Sequence, residues 1–403
     1  MKNVEGWQPK SLRQLAIINY GRSPAGILAD DGEYPVVGTG GTERVGNDYL
    51  YEGDSIILGR KGTIDRVYFA TGRFWTIDTA YYLSGFDEAL PRWLFYFLQT
   101  LDLRQMNEAT GVPSLSRELL YKIEVPTPSK PEQTKIAEVL STVDRAIAQT
   151  EALIAKQQRI KTGLMQDLLT RGIDEHGNVR SERTHTFKDS LLGRIPVEWE
   201  VEPFGSACDR VSVGIATSTT KHFRAEGVPL LRNQNVLSGQ FDLTDLLFIS
   251  SQFGDVNKSK RLRAGDLVTM RTGFPGRTAV VTESMSGWQT FTTLISSPKK
   301  TKYASEFMCL QMNSYVGRKQ IMTLQGGGAQ QNLNVGWVVN MKVLRPSHSE
   351  QERIVTVLNM VDSHIVSGSS QLRKLRSLKP ALMQDLLTGK RRVTPLLEAE
   401  AVQ

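Results

Sequence analysis

The heptapeptide LMQDLLT occurs twice, at Leu164–Thr170 and again at Leu382–Thr388. Sliding the chain against itself by 218 residues sets PSKPEQTKIAEVLSTVDRAI (Pro128–Ile147) on PSHSEQERIVTVLNMVDSHI (Pro346–Ile365) without a gap. The same shift sets KTGLMQDLLT (Lys161–Thr170) on KPALMQDLLT (Lys379–Thr388). A unit of about forty residues is therefore duplicated. A repeat on this scale restricts the architecture before any single residue does.

Each copy predicts a long helix. Ser129-x-x-Glu132 and Ser347-x-x-Glu350 read as capping boxes, the serine accepting from a free backbone N–H and the glutamate reaching back to the cap. Pro128 and Pro346 precede them. Ile136, Leu140, Val143, Ile147 and Ile154 then follow in the first copy, and Ile354, Leu358, Val361, Ile365, Leu372 and Leu375 in the second. Their spacing alternates near three and four, the seam of a coiled coil. Gly163 and Pro380 fall at nearly the same place and predict a break or kink before the heptapeptide. A helix from Gln133 to Thr170 would be about 57 Å long. Its apolar stripe is narrow and wants a partner helix, and the most economical partner is the other copy.

The regions before the two helices differ in character from them. Residues 1–127 and 191–345 are rich in Gly, Thr, Val, Tyr and Phe, with short apolar runs such as DSIILGR (Asp54–Arg60) and DLVTMRT (Asp266–Thr272). These predict strands bounded by turns. Both runs follow Gly-Asp and lead through an arginine into a glycine turn, GRKGTIDR and MRTGFPGR. Aromatic and hydroxyl residues follow in RFWTIDTAYYL (Arg73–Leu83) and GWQTFTTLI (Gly287–Ile295). The fold class is thus mixed α/β (α+β), with an internal pseudo-twofold repeat. A first globule spans 1–127, a repeated helical region with a polar connector 128–190, a second globule 191–345, and a distal helical region with a tail 346–403.

This arrangement resembles the specificity subunits of type I restriction-modification systems, over essentially the whole chain. The duplicated P…EQ..I…L…D helix entries, the helix end at Gln384–Gly389, DSLLGRIPVEWE (Asp189–Glu200) and GRKGTIDRVYF (Gly59–Phe69) carry the resemblance. VEGWQPKSL (Val4–Leu12) keeps a tryptophan before the first globule but departs from the pattern seen before the second. The resemblance implies that each globule is a target recognition domain reading half of a split DNA site. It implies that the helices pair as an antiparallel coiled coil, and that two methyltransferase subunits dock on the repeats. Endonuclease-translocase (restriction) subunits would join through them, and this chain would have no catalysis of its own. S-adenosylmethionine, ATP and Mg are then expected on partner subunits, with no cofactor or metal in this chain.

The residues agree with a binding role. No G-x-x-x-x-G-K-[ST] loop, [DN]PP[YF] tetrapeptide or H-E-x-x-H pair occurs. VVGTGGTERVG (Val36–Gly46) lacks the strand-loop-helix context of a cofactor cradle and reads as a surface loop. Two cysteines, Cys208 and Cys309, exclude a disulfide scaffold. The absence of an N-terminal apolar core predicts a cytoplasmic protein, with no run long enough for a membrane helix. The net charge of +7 favours an acidic partner such as double-stranded DNA.

Base reading needs donors that match base edges, Arg for guanine and Asn or Gln for adenine. The candidates in the first globule are Tyr20, Arg22, Arg44, Arg60, Lys61, Thr63, Arg66, Arg73 and Thr76, with Trp75 expected in the core. In the second they are Arg232, Asn233, Asn235, Arg271, Thr272, Arg277, Gln289, Gln330 and Gln331. Arg60 and Arg271 stand out because each follows a strand and precedes a glycine turn at matching places. Helix pairing or subunit docking is expected of Ile136, Leu140, Val143, Ile147, Leu164, Leu168, Ile354, Leu358, Val361, Ile365, Leu382 and Leu386. A stand-alone DNA-binding regulator and a helical scaffold that reads nothing remain alternatives at this stage.

Overall fold

The protein is described here from a computed structural model, which covers residues 4–324 and 332–401. Two compact units are present, and the division falls inside the long helices. The first unit combines residues up to Leu153 with those from Gly368 onward, and the second is Ile154–Ser367.

Within the first unit, strands Ile17–Tyr20, Ala80–Ser84, Ser55–Gly59 and Val67–Ala70 form, in that order, an antiparallel sheet. A second four-stranded sheet runs Gly41–Gly46, Tyr34–Gly38, Arg73–Thr76, Tyr51–Glu52, with one parallel pairing between Tyr34–Gly38 and Arg73–Thr76. The second unit repeats the first sheet strand for strand: Cys208–Val213, Leu294–Pro298, Leu267–Thr269, Thr278–Val280. Its other sheet also holds one parallel pairing, between Val228–Leu231 and Gln289–Thr290. The strands expected at DSIILGR and DLVTMRT are therefore equivalent central strands. They are apolar on both faces because each is covered on both sides.

Both long helices form, Lys130–Leu168 and His348–Leu387. The break expected near Gly163 and Pro380 does not occur; each helix runs through. Proline removes one backbone hydrogen bond, but the turns on either side of Pro380 are fixed by tertiary contacts. Lys379 binds Asp144 at 2.6 Å, and beyond it Met383, Leu386 and Leu387 lie in the first unit's core.

The pairing is antiparallel inside each unit. In the first, Asp144 meets Lys379 and Glu151 meets Arg376 at 2.7 Å. In the second, Lys161 meets Asp362 at 2.6 Å. The 218-residue shift turns the pair Asp144–Lys379 into Asp362–Lys161, so the repeat maps one ion pair onto the other with the helices exchanged. Ile136 and Leu140 share a core with Met383, Leu386 and Leu387, and Leu382 packs against it. Ile354 and Leu358 share the other with Leu168 and Leu169, and Leu164 packs against that one. Val143 is buried, and Ile147, Val361 and Ile365 are half-buried along the seam. The twin leucines thus close each unit's own core.

Of the two capping boxes only half of the second forms. Ser347 Oγ accepts from Glu350 N at 3.3 Å, but neither glutamate turns back to the cap. Both are buried and serve as anchors. Glu132 accepts from Arg392 Nε and Nη2 at 2.8 and 2.9 Å, beside the Trp7 ring. Glu350 accepts from Arg180 through both carboxylate oxygens, from Trp199 Nε1 at 3.1 Å and from Ile173 N at 3.0 Å. Gly172, at φ 69°, passes so close that a Cβ there would stand 2.4 Å from Trp199. A buried carboxylate needs donors around both of its oxygens. That need took these glutamates away from the cap.

The glutamine after each glutamate also repeats its role. Gln133 accepts from Leu90 N at 2.7 Å and donates to Pro128 O at 3.0 Å. Gln351 accepts from Ala304 N at 2.9 Å and donates to Pro346 O at 3.0 Å. Leu90 and Ala304 are the N-cap residues of short helices Pro91–Leu98 and Ser305–Asn313. Each Glu-Gln pair therefore ties a long helix to its own globule.

Candidate nucleic-acid interface

Arg60 and Arg271 occupy equivalent places, as their setting in the sequence suggested. Each follows a central strand, and each carbonyl accepts from a leucine N–H 218 residues from its counterpart: Leu115 to Arg60 at 3.0 Å, Leu333 to Arg271 at 3.1 Å. The neighbouring crossing repeats as well. Gly21 ends one edge strand and donates to Ala80 O, and Gly214 ends the other and donates to Thr293 O. A Cβ at Gly21 would lie 2.0 Å from Ile77 O, and one at Gly214 would lie 2.3 Å from Thr290 O, so the chain must be glycine there. One end of the antiparallel sheet is thus built alike in both units, from strand ends and the leucine, Leu115 or Leu333, that donates to the arginine carbonyl.

In the first unit this end collects Tyr20, Arg22, Arg60 and Lys61. Arg60 N and Lys61 N both donate to Thr79 O, and Arg22 N donates to Thr76 O. Arg22 and Lys61 are exposed and Thr63 is half-buried beside them. Arg60 Nε donates to Asp78 O at 2.9 Å and its guanidinium stands over Tyr20. Trp75 is buried, its Nε1 donating to Arg22 O at 2.9 Å. Tyr81, edge-on to Tyr20, has its hydroxyl pushed up to about 12 by burial and then by Tyr20 itself.

Other candidates in the first unit stand apart from this end or inside it. Thr76 is completely buried and offers nothing to a ligand. Arg73 binds Glu52 at 3.0 Å and covers the Tyr49 ring; its bond to Glu52 holds its guanidinium firmly protonated. Arg66 is exposed and is held up in the same sense by its hydrogen bond to Tyr68. Arg44 is exposed on strand Gly41–Gly46 of the other sheet.

The second unit uses its polar side chains differently. Asn233 bridges the site: its Oδ1 accepts from Arg271 N at 2.7 Å and its Nδ2 donates to Thr292 Oγ1 at 3.2 Å. Thr292, at φ 55°, is the one non-glycine residue with positive φ among the described residues. A threonine in that region stores strain, and such residues concentrate at functional sites. Arg271 is half-buried, and its Nε donates to Leu333 O at 2.8 Å. Arg277 stacks on Phe274 at 3.8 Å, and Thr272 is exposed between them and Arg271.

Three polar residues expected at the second surface are structural. Gln289 is fully buried and donates to Gly254 O and Asn257 O at 3.0 and 2.8 Å. Asn235 is buried, accepting from Arg232 N and donating to Asp242 O and Asp245 O. Arg232 is paired with Asp245 at 2.7 Å. Turn-rich connections leave backbone groups without ladder partners, and buried amides supply them. An amide that satisfies the fold is indistinguishable in the sequence from one that meets a base. Gln330 and Gln331 lie outside the described residues.

Some residues of this surface escaped sequence reading. Arg117, in the short helix Arg117–Tyr121, stands over Tyr20, and Arg13 covers Tyr121. Arg13 lies in no motif, and the repeat sets Val335 where Arg117 stands, so duplication does not mark it. Each unit also carries an open groove between its short helix and the start of its long helix. The first is lined by Pro91, Arg92, Thr134 and Glu138, and the second by Ser305, Glu306, Glu352 and Thr356. Among the described residues, no cluster of His, Cys, Asp and Glu is placed to hold a metal, and no helix is long and apolar enough to cross a membrane.

Comparison with known proteins places this geometry among relatives. Residues 4–158 match the family model described as the type I restriction modification DNA specificity domain. The chain is 26% identical over 318 residues to the type I restriction enzyme MjaVIII specificity subunit of Methanocaldococcus jannaschii, covering 75% of this chain and 71% of that one. It is 24% identical over 314 residues to the putative type I restriction enzyme MjaX specificity subunit of the same organism, covering 75% and 68%. The S subunit of a type I restriction-modification system from M. genitalium superposes with a TM-score of 0.66 at 15% identity, over 96% of this chain and 97% of that one. A chain from a type I R-M system solved for its complex assembly and conformational transition gives 0.56 at 15% identity, over 96% and 99%. At that identity the structural likeness speaks for the fold.

Proposed function

We propose that this chain, a member of the type I restriction-modification specificity subunits, reads a bipartite and asymmetric DNA site, one half with each unit. It supplies no catalysis. Two methyltransferase subunits dock on it, and restriction subunits join through them. S-adenosylmethionine serves the methyltransferases, and ATP with Mg serves the restriction subunits, all in the cytoplasm. The observation that carries this reading is the doubled sheet end. The scaffold is the same in both units, down to Arg60 and Arg271, while the side chains around it differ. Equal scaffolds suit equal tasks, and unequal side chains suit two different half-sites. The equivalent grooves beside the long helices suit two copies of one partner.

A methyltransferase must reach an adenine inside a duplex, which implies base flipping by the partner. The long helices then set the unread gap between the half-sites. Inserting seven residues in both helices lengthens each by about 10 Å, or roughly three base pairs. The test is to express the chain with its neighbouring methyltransferase and map methylated adenines across a genome. Wild type should mark one split sequence, and the paired insertion should mark the same half-sites with a wider gap. An unchanged gap rejects the ruler. Tight specific binding without any methylation favours a stand-alone regulator, and assembly without sequence preference favours a scaffold.

A further inference from the structure

The two units share a scaffold, so a charge cluster found at one sheet end and missing from the other is not required by that scaffold. Tyr20 stands just before Gly21, where the second unit has Val213 before Gly214. Arg117 follows Leu115 and the N-cap Ser116, where the second unit has Val335 after Leu333 and the N-cap Asn334. Among the described residues, two arginines stand over one aromatic ring at this end in the first unit, and no such pair does at the matching end of the second. The guanidinium carbons of Arg60 and Arg117 lie 5.6 and 5.0 Å from the centre of the Tyr20 ring, which is 47% exposed.

Neither cation has a carboxylate to itself. The one carboxylate in ion-pair range of Arg117 is Glu118, 3.9 Å from its Nε, and Arg13 already holds that carboxylate at 2.6 Å. Arg117 Nε is buried without a hydrogen-bond partner. Arg60 forms no ion pair among the described residues, its Nε going to a backbone carbonyl. Lys61 and Arg22 add exposed positive charge at the same end. Like charges held around one ring repel each other, and an anion between or beside them relieves that repulsion. The guanidinium fork matches the oxygens of a phosphodiester, and a tyrosine hydroxyl adds a neutral donor.

We propose that Arg60, Arg117 and Tyr20 form a phosphodiester-binding site by which the first unit grips the DNA backbone, a site the second unit lacks. The inference rests on the DNA-reading function above. It assigns Arg60 to the backbone instead of a base, and it adds Arg117, which no motif marks.

The full chain in complex with its methyltransferase is titrated against a random-sequence duplex at several salt concentrations, by fluorescence anisotropy. Each lost phosphate contact lowers the slope of log K against log salt by about 0.9. Arg117→Ala and Arg60→Ala should each flatten the slope by roughly that amount and leave the methylated sequence unchanged. Arg117→Lys should keep the slope, since the charge remains, while binding weakens several-fold as the fork is lost. Val335→Ala should do nothing. An unaltered slope in Arg117→Ala overturns the site, as does a changed methylated sequence, which would mark a base contact. An equal effect from Val335→Ala also overturns it. A wild-type complex that neither binds duplex nor marks a defined sequence rejects the DNA-reading function itself, and this site with it.

Discussion

Replacing Glu350 by alanine should be among the most damaging single changes in the second unit. Its carboxylate is buried and receives Arg180 at both oxygens, Trp199 Nε1 at 3.1 Å and Ile173 N at 3.0 Å. The Arg180 side chain is 11% exposed and Trp199 not at all. Alanine leaves a buried cation without its counter-charge and two buried N–H groups without partners. Breaking a buried ion pair in this way costs about 3–5 kcal/mol. The matching change, Glu132→Ala, should cost less, about 1–3 kcal/mol. Arg392 is 29% exposed and can regain water, and Trp7 Nε1 is already buried without a partner. Two units need not unfold together, so a single melting curve would mix them. Hydrogen exchange resolved by peptide reads each unit separately. Protection should fall in the second unit for Glu350→Ala and, by less, in the first unit for Glu132→Ala. The double change Glu350→Ala with Arg180→Ala should recover part of the loss, since no uncompensated charge remains. Equal losses for the two glutamates, or simple addition in the double variant, would refute the reasoning.

Three further outcomes follow from burial. Burial pushes both the Cys208 and Cys309 thiols up to about 12, so the thiolate is scarce at neutral pH. Iodoacetamide should modify neither in the native chain at pH 7 and both in denaturant; prompt native labelling contradicts the assignment. Gln289→Leu should destabilise the second unit by about 1–3 kcal/mol, by taking the side-chain donor from Gly254 O and leaving Asn257 O with Lys260 N alone, and should leave the methylated sequence intact. A changed sequence would return Gln289 to the reading surface. Leu168→Ala and Leu386→Ala should each cost about 2–5 kcal/mol, seen as lower exchange protection, the first in the second unit and the second in the first. Loss of methyltransferase binding with unchanged protection would make these leucines a docking surface instead.

Much of the architecture was legible because it is written twice. Duplicated caps, seams and heptapeptides mark both long helices, and the Gly-Asp runs mark equivalent strands. What did not transfer was the use of individual polar groups. Glu132 and Glu350 carry the spacing of a capping box, yet each anchors an arginine that lies far away in the sequence. Pro380 reads as a break, but contacts on both sides outweigh the lost hydrogen bond. Asn235 and Gln289 have the chemistry of base readers and serve buried backbone instead. Arg60 and Arg271 could be placed because their surroundings repeat. Arg117 could not, because its importance lies in having no counterpart.

The exchange of helix ends has a consequence for how the chain is made. The second unit is one continuous stretch, Ile154–Ser367, and can close as it leaves the ribosome. The first unit, though begun earlier, lacks Met383, Leu386, Leu387 and Arg392 until the last residues emerge. At about 5–20 residues per second, synthesis of the intervening stretch takes on the order of ten to forty seconds. Through that time Ile136 and Leu140 stand uncovered and Glu132 waits for its arginine. Protease digestion of nascent chains held with Ser367 just clear of the ribosome should therefore find the later-made unit resistant and the earlier-made one sensitive, the reverse of the usual vectorial order.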